Sequence, residues 1–162
     1  MRVAIALGSN LGDRAAHLAW AAGELPRILS DLVVSNPVVT KPVGEGLEHD
    51  PDFLNAAAVG ETELPPAELI GALLDIERRR GRERPHLNAP RTLDLDLILA
   101  GNTVVDEPGV QVPHPRFRER RFVLEPLASI APDMIDPVTG LTVAQLFARL
   151  DKKSGPSGPP FK

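Results

Sequence analysis

Apolar and polar positions alternate in short runs along the chain, and each run predicts one element of the fold. The run RVAIALGSN, residues 2–10, is apolar and closes on a glycine turn, so it predicts a strand. The next run, DRAAHLAWAAGEL, repeats its apolar residues at helical spacing, and Asp13 is a plausible N-cap. The chain therefore opens with a strand, a turn and a helix.

Two more strands and a second helix are predicted in the next part of the chain. DLVVSNPVVTKPVG predicts a strand interrupted at Pro37, and FLNAAAVGETEL predicts another after a loop rich in glycine and acid. Two prolines at 65 and 66 then open a helix, because proline is tolerated in a first helical turn. The buried stripe of this helix is predicted at Leu69, Leu73 and Ile76.

The strand predicted at RTLDLDLIL places two acids side by side. Alternate side chains of a strand share a face, so Asp94, Asp96 and Ile98 point one way, with the acids roughly 6.5 Å apart. The opposite face is predicted to hold Leu93, Leu95, Leu97 and Leu99. A solvated outer face of an antiparallel sheet would explain the acids without any function.

The order of these elements predicts one domain over residues 1–150. After a turn at GNTV, a final helix is predicted from about Thr142 to Leu150. The order βαββαβ, with a further tail, fits a split βαβ arrangement, an antiparallel sheet with helices on one face. Residues 151–162, DKKSGPSGPPFK, have the composition of a flexible C-terminal tail.

Charge is unevenly distributed along the chain. The net charge of -4 argues against general binding to nucleic acid or to an anionic membrane. The segment from Arg78 to Arg121, however, contains ten basic and six acidic residues, so its net charge is +4 and that of the remaining chain is -8. All ten are arginines, whose planar forks grip phosphate or carboxylate at two points. A compact polyanion is the expected partner, and a solvated charged surface is the alternative.

Cysteine is absent, which excludes a disulfide framework, a thiolate nucleophile and Cys-ligated zinc. This composition suits a reducing compartment. The apolar run Val3–Leu7 is too short for a signal peptide or a membrane span. We therefore expect a soluble, cytoplasmic protein.

Acids and arginines together indicate a magnesium-bound triphosphate. Carboxylates can hold Mg²⁺, the ion can bridge phosphate oxygens, and arginines can neutralise the remaining charge. The GxxxxGK[ST] and GxGxxG motifs of common phosphate cradles are absent. Gly8 and Gly12, in LGSNLGD, are interpreted as a tight turn.

Five motifs, in order, resemble hydroxymethyldihydropterin pyrophosphokinase. They are GSNLGDR, DPDFLNAA, IERRRGRER, APRTLDLDLI and VPHPRFRERRFVLEPL, and the resemblance runs from Val3 to about Leu150. It implies a ferredoxin-like α+β fold and an enzyme of folate biosynthesis. Such an enzyme transfers pyrophosphate from ATP to the hydroxymethyl group of 6-hydroxymethyl-7,8-dihydropterin, releases AMP and needs two Mg²⁺.

The same resemblance implies a role for individual residues. It makes Asp94 and Asp96 the ligands of both magnesium ions, and Arg82 and Arg91 the catalytic arginines on the triphosphate. The implied ATP-binding residues are Glu77, Arg82, Arg84, Arg91, Leu97, His114 and Arg120. The implied pterin-binding residues are Gly8, Thr40, Val43, Phe53, Asn55 and Phe122.

Residue chemistry supports several of these roles and leaves alternatives open. Two phenylalanines suit stacking on a flat heterocycle, although Phe53 and Phe122 could instead be core residues. Asn55 can donate and accept at once, as an amide-like ring edge requires, but it could also be a turn former at a strand end. His114 could contact a phosphate or be only a satisfied loop residue.

Two other functions remain open from sequence. Nucleotidyltransferases also combine a GS turn with a DxD strand, but there the two lie within one short stretch, whereas here more than eighty residues separate them. A ligand-binding module of similar fold that needs no magnesium is the second alternative. Association with neighbouring folate-pathway enzymes is a further expectation.

Overall fold

The computed structural model describes residues 1–10, 12–40, 52–81 and 92–153, and within them the predicted α+β class is confirmed. The strands are β1 (Arg2–Ser9), β2 (Ser30–Val34), β3 (Val38–Thr40), β4 (Phe53–Glu61), β5 (Asp94–Ala100), β6 (Val105–Glu107) and β7 (Val110–Val112). The helices are α1 (Arg14–Glu24), α2 (Pro66–Gly81), α3 (Arg121–Ile130) and α4 (Val143–Lys153). Two short 3₁₀ turns cover Leu25–Arg27 and Phe117–Glu119. The predicted interruption at Pro37 separates β2 from β3.

The main sheet is antiparallel and has the strand order β2, β4, β1, β5, with β3 pairing to β4 after β2 ends. Strands β1 and β4 are central, so their backbones are fixed on both sides. Strand β5 lies at one edge. Strands β6 and β7 form a separate two-stranded hairpin.

Helices cover both faces of this sheet, so the prediction of helices on one face is wrong. On the first face, α1 and α2 pack against leucines and isoleucine of β1 and β5, among them Ile5, Leu95 and Leu97. On the second face, α3, α4 and Phe117 pack against Ala4, Val59 and neighbouring residues. The second layer forms because one end of that face is also apolar.

A bulge in β5 explains one error in the predicted alternation. Ala4 pairs with Leu99 and Ile5 pairs with Leu97, which leaves Ile98 as an extra residue in the strand. Ile98 and Leu99 therefore both join the core of the second face. The face predicted for Leu93, Leu95 and Leu97 is confirmed, and that predicted for Leu99 is wrong.

The predicted N-cap of the first helix and the predicted proline start of the second are confirmed. The Asp13 carboxylate accepts a hydrogen bond from the Ala16 N–H at 3.1 Å, and α2 begins at Pro66. Helix α4 continues to Lys153, three residues past the predicted end, so the start of the predicted tail is helical; residues 154–162 lie outside the described residues. Among the described residues no helix is long and apolar enough to cross a membrane.

Candidate active site

Polar residues gather at the end of the second face that α3 and α4 do not cover. Gly8 of β1 pairs with Asn55 of β4 on one side and with Asp94 of β5 on the other. Paired residues share a face, so these three positions form a row across the sheet. Asp96 lies two residues further along β5, opposite Ala6, and its side chain is exposed. The two acids thus share a face, as predicted, with a row of small and polar residues.

Asn55 is buried, and its amide orientation is fixed. Its Nδ2 donates to Thr40 Oγ1 at 2.8 Å, which leaves the carbonyl oxygen directed over Gly8. A Cβ added at Gly8 would stand 3.3 Å from Asn55 Oδ1, closer than most Cβ contacts. Gly8 lies inside β1, so its interpretation as a turn residue is wrong; Gly12, with φ +66°, is the turn residue. The glycine gives the amide oxygen room.

The two phenylalanines proposed for stacking both retain exposed surface. Phe53, the first residue of β4, is half-buried, and Phe122 in the first turn of α3 is 36% exposed. The buried aromatic residue of this region is Phe117 instead. The Arg120 guanidinium lies 5.5 Å from the centre of the Phe122 ring. The core alternative therefore fits Phe117 better than Phe53 or Phe122.

A cleft of about 270 Å³ lies beside the acids, between α2, the edge strand β5 and the segment after β7. Apolar side chains of α2, including Ile70 and Leu74, form one wall, and Asp96 and Leu97 form another. His114 closes one side. The lining combines apolar side chains with the carboxylates of Glu77 and Asp96 and the imidazole of His114, so the cleft can take a ligand that has both an apolar and a polar part.

Glu77 and His114 hold the edge of β5. The Leu95 N–H, between the two acids, donates to Glu77 Oε2 at 2.6 Å. The His114 N–H donates to the Ile98 carbonyl at 3.0 Å. An edge strand has unpaired backbone groups, and these contacts supply two of the missing partners. Glu77 thereby acts on the acids through the backbone that carries them.

The environment of His114 favours its neutral form. Burial is the main cause that lowers the pKa of His114, the carboxylate of Asp96 opposes this, and the charges of Arg120 and Arg116 lower it further. His114 Nδ1 accepts a hydrogen bond from the Arg116 N–H at 3.2 Å. In the neutral ring the proton therefore sits on Nε2, which can donate to an anion.

Four predicted site residues, Val43, Arg82, Arg84 and Arg91, lie outside the described residues. Within the described ranges no three His, Cys, Asp or Glu side chains cluster tightly enough to hold a metal alone. Two carboxylates on one face fit Mg²⁺ nonetheless, because Mg²⁺ commonly takes one or two carboxylates together with substrate phosphates and water.

Two residues of this region were not predicted from sequence. Arg14, at the start of α1, donates to the Asp52 carbonyl directly before Phe53, and so fixes the entry into β4. Its place in the GSNLGDR motif is a signal that could have identified it. Gln111 lines the cleft from β7, a strand of three residues that gives too short a pattern to recognise.

Comparison with known proteins identifies the family. A model of the 7,8-dihydro-6-hydroxymethylpterin-pyrophosphokinase (HPPK) family matches residues 4–132. The 2-amino-4-hydroxy-6-hydroxymethyldihydropteridine pyrophosphokinase of Bacillus subtilis is 40% identical over 154 residues, covering 93% of this chain and 91% of the relative. The enzyme of the same name from Synechocystis sp. is 38% identical over 149 residues, covering 91% of this chain and 75% of the relative.

Solved structures share the fold at low sequence identity. The HPPK-DHPS of Plasmodium falciparum superposes with a TM-score of 0.69 at 12% identity, covering 96% of this chain. An HPPK-DHPS in complex with substrates gives a TM-score of 0.73, also at 12% identity, over 94% of this chain. The chain spans only 45% and 44% of those two solved chains.

Proposed function

The chain belongs to the 7,8-dihydro-6-hydroxymethylpterin-pyrophosphokinase family, and we propose that it performs the transfer with two Mg²⁺ ions held by Asp94 and Asp96. As an enzyme of this family it moves pyrophosphate from ATP to the hydroxymethyl group of the dihydropterin, a step of folate biosynthesis. The row of Asn55, Gly8 and Asp94 carries the proposal, because it joins an amide suited to a ring edge to a carboxylate suited to a metal.

Asp94 and Asp96 fit magnesium by charge, face and accessibility. Both lie on the second face, Asp96 lines the cleft, and β5 is held by Glu77 directly between the two acids. Bound Mg²⁺ neutralises phosphate charge and polarises oxygen ligands. The carboxylates need their positions fixed before nucleotide binds, and the Glu77 contact supplies this.

The nucleotide is proposed to lie in the cleft with its phosphates toward Asp96. Neutral His114 can donate from Nε2 to a phosphate oxygen, and Arg120 adds a positive charge nearby. Leu97 forms part of the apolar wall. We assign the catalytic roles of Arg82 and Arg91, and a phosphate contact of Arg84, from the family resemblance.

The pterin is proposed to bind at the other end of the polar row. Asn55 presents its oxygen over Gly8 while Thr40 holds its NH₂ group, so the amide is oriented before the substrate arrives. Phe53 and Phe122 can stack on the ring. We assign a contact of the Val43 backbone with the ring edge from the family resemblance alone. This arrangement would direct the hydroxymethyl group toward the acids.

Transfer requires positioning and charge neutralisation, without a covalent enzyme intermediate. The hydroxymethyl oxygen attacks the β-phosphorus and loses its proton to solvent. The bond from that phosphorus to the oxygen bridging the α-phosphorus breaks, and AMP leaves with the bridging oxygen. Exclusion of water from the cleft would protect ATP from hydrolysis.

Product analysis tests this function. Purified protein with ATP, Mg²⁺ and the reduced pterin alcohol should form AMP and pterin diphosphate in equal amounts. Omission of the pterin should abolish AMP formation. Free pyrophosphate with a nucleotidylated pterin would indicate the nucleotidyltransferase alternative, and pterin binding without turnover would indicate the binding module.

We also propose that the protein associates with another enzyme of folate biosynthesis. The solved HPPK-DHPS chains are fusions, which supports an association of this chain with another folate-pathway enzyme. Co-sedimentation of this protein with a purified folate-pathway enzyme would test the association, and independent sedimentation of the two would contradict it.

A cytoplasmic location remains a prediction from the absence of cysteine, checked by cell fractionation.

A further inference from the structure

Asp136, in the connection between α3 and α4, is a fully buried carboxylate with a complete set of partners. Its exposed fraction is 0%. Arg118 donates to it at two points, from Nε at 2.6 Å and from Nη2 at 3.0 Å. The Thr139 hydroxyl donates at 2.8 Å and the Val138 N–H at 3.0 Å. Together these donors fix the carboxylate in one orientation.

The backbone around Asp136 is held as firmly as its side chain. The Asp136 N–H donates to the Leu141 carbonyl at 2.8 Å, and the Gly140 N–H donates to the Asp136 carbonyl at 2.8 Å. The chain then enters α4 at Val143, which is fully buried. Asp136 is therefore an anchor attached to the core of the second face rather than part of a mobile loop.

Arg118, the partner of this anchor, belongs to the 3₁₀ turn Phe117–Glu119. This turn joins two residues proposed to face the nucleotide, His114 and Arg120. The Phe117 N–H lies 3.5 Å from the His114 carbonyl, and the Arg120 N–H donates to the Phe117 carbonyl at 3.2 Å. The Arg118 guanidinium also lies 4.9 Å from the centre of the Phe117 ring. Any displacement of Arg118 would change the turn that separates His114 from Arg120.

Stability alone is a weak reason for such a pair. Desolvation of two charges often cancels their attraction, and apolar residues of similar volume can stabilise a protein equally well. A two-point fork contributes a fixed direction as well, which an apolar contact does not. The Arg118 fork therefore fixes the direction in which the Phe117–Glu119 turn is held against the Asp136 anchor.

We propose that Asp136 is a positioning residue for the reaction: through Arg118 it holds the Phe117–Glu119 turn so that His114 and Arg120 face the nucleotide phosphates. This role rests on the proposed function of the cleft. Asp136 itself touches no substrate. Its loss should lower the fraction of molecules in which the phosphate contacts are in place, and the apparent nucleotide affinity falls by the same factor.

The test compares Asp136→Asn with two controls. Equilibrium binding is measured for a non-hydrolysable ATP analogue with Mg²⁺, and separately for the reduced pterin. Asp133→Asn is the matched control, because it removes the same charge from the same connection at an exposed side chain whose partner is Arg2. Leu25→Ala controls for lost stability, since Leu25 is fully buried under the first face.

Asp136→Asn should raise the apparent Kd for the nucleotide about tenfold, as expected if the correctly placed fraction falls to about a tenth. The pterin Kd should change by less than about twofold. Both controls should leave the ratio of the two constants unchanged. An unchanged nucleotide Kd, or an equal rise in both constants, would overturn the proposal.

Arg118→Lys keeps the positive charge but loses the two-point contact with Asp136, so it tests the positioning role even if Asp136→Asn does not fold. It should weaken nucleotide binding by an intermediate factor, and wild-type nucleotide affinity would count against the proposal. If wild-type protein forms no AMP, the proposed function fails, while the binding constants still test the positioning role.

Discussion

The two faces of the central sheet differ in what covers them, although the same strands form both. The first face is closed by α1 and α2 over a continuous apolar layer. The second face is closed by α3 and α4 only toward one end, and its other end carries Gly8, Asn55, Asp94 and Asp96. The core on one face therefore fixes the backbone that carries the proposed site on the other.

Strand β5 and Leu93, the residue directly before it, show this division within a few residues. Leu93 and Leu95 pack into the first face, while Asp94 and Asp96 between and after them face outward. Two like charges on one face are tolerated because helices leave this end uncovered and water can solvate them. Substitutions on the second face should therefore lower activity with little change in stability. Substitutions on the first face should lower stability with little change in activity.

The largest effect is expected for Asp96→Asn. Loss of the proposed magnesium ligand should lower kcat/KM by about 10³-fold or more, or about 4 kcal/mol of transition-state stabilisation. The free energy of unfolding should change by less than about 0.5 kcal/mol, because an exposed charge is removed from beside a like charge. Steady-state kinetics and urea unfolding measure the two quantities. Asp133→Asn is the control, and near-normal turnover in Asp96→Asn would contradict the metal assignment.

Leu93→Ala tests the core of the first face, directly before β5 begins. Leu93 is 2% exposed, so its truncation should lower the free energy of unfolding by about 2–5 kcal/mol. The folded fraction should keep nearly full activity, because the side chain points away from the substrates. Chemical unfolding and assays well below the melting temperature measure these effects. A variant of wild-type stability would refute the division between faces.

Asn55→Ala should act on one substrate only. The variant loses the oriented amide, so the KM for pterin should rise about tenfold while the KM for ATP stays within about twofold. Thr40→Val removes only the partner of Asn55 Nδ2 and should give a smaller rise. A parallel rise in both constants would show that Asn55 is structural.

The smallest effect concerns pH. Burial by itself would raise the pKa of Asp136, but hydrogen bonds from Arg118, Thr139 and Val138 outweigh it, so this pKa lies below its ordinary value. A carboxyl whose pKa is lower in the folded than in the unfolded protein stabilises the folded state at pH values above its unfolded pKa, about 3.9. That stabilisation is lost as the pH falls through the pKa of the folded protein. The loss of unfolding free energy between neutral and acid pH should be smaller in Asp136→Asn. If wild type and Asp136→Asn lost equal amounts of unfolding free energy, the ionisation of Asp136 would not contribute to the pH dependence of stability.

Much of this architecture could be predicted because local patterns coincide with the packing. The Pro65–Pro66 start, the stripe at Leu69, Leu73 and Ile76, and the Asp13 cap all follow from neighbours in sequence. The Asp94 and Asp96 face follows from strand period alone. Such signals need no knowledge of tertiary contacts.

Other features depend on tertiary contacts and could not be read locally. The bulge at Ile98 changes the face of Leu99 through its register with Ala4 and Ile5. Helix α3 follows a run of arginines and carries Pro126 in its interior, so its sequence pattern did not predict a helix. The contact of Glu77 with the Leu95 N–H joins residues 18 positions apart and appears only once α2 lies beside β5.

The central claim is that Asp94 and Asp96 couple nucleotide binding to magnesium. Calorimetric titration of a non-hydrolysable ATP analogue, with and without Mg²⁺, tests it directly in wild type, Asp94→Asn and Asp96→Asn. Magnesium should strengthen binding to the wild-type protein, and both variants should lose this gain while keeping their metal-free affinity. Variants that retain the full gain would contradict the account.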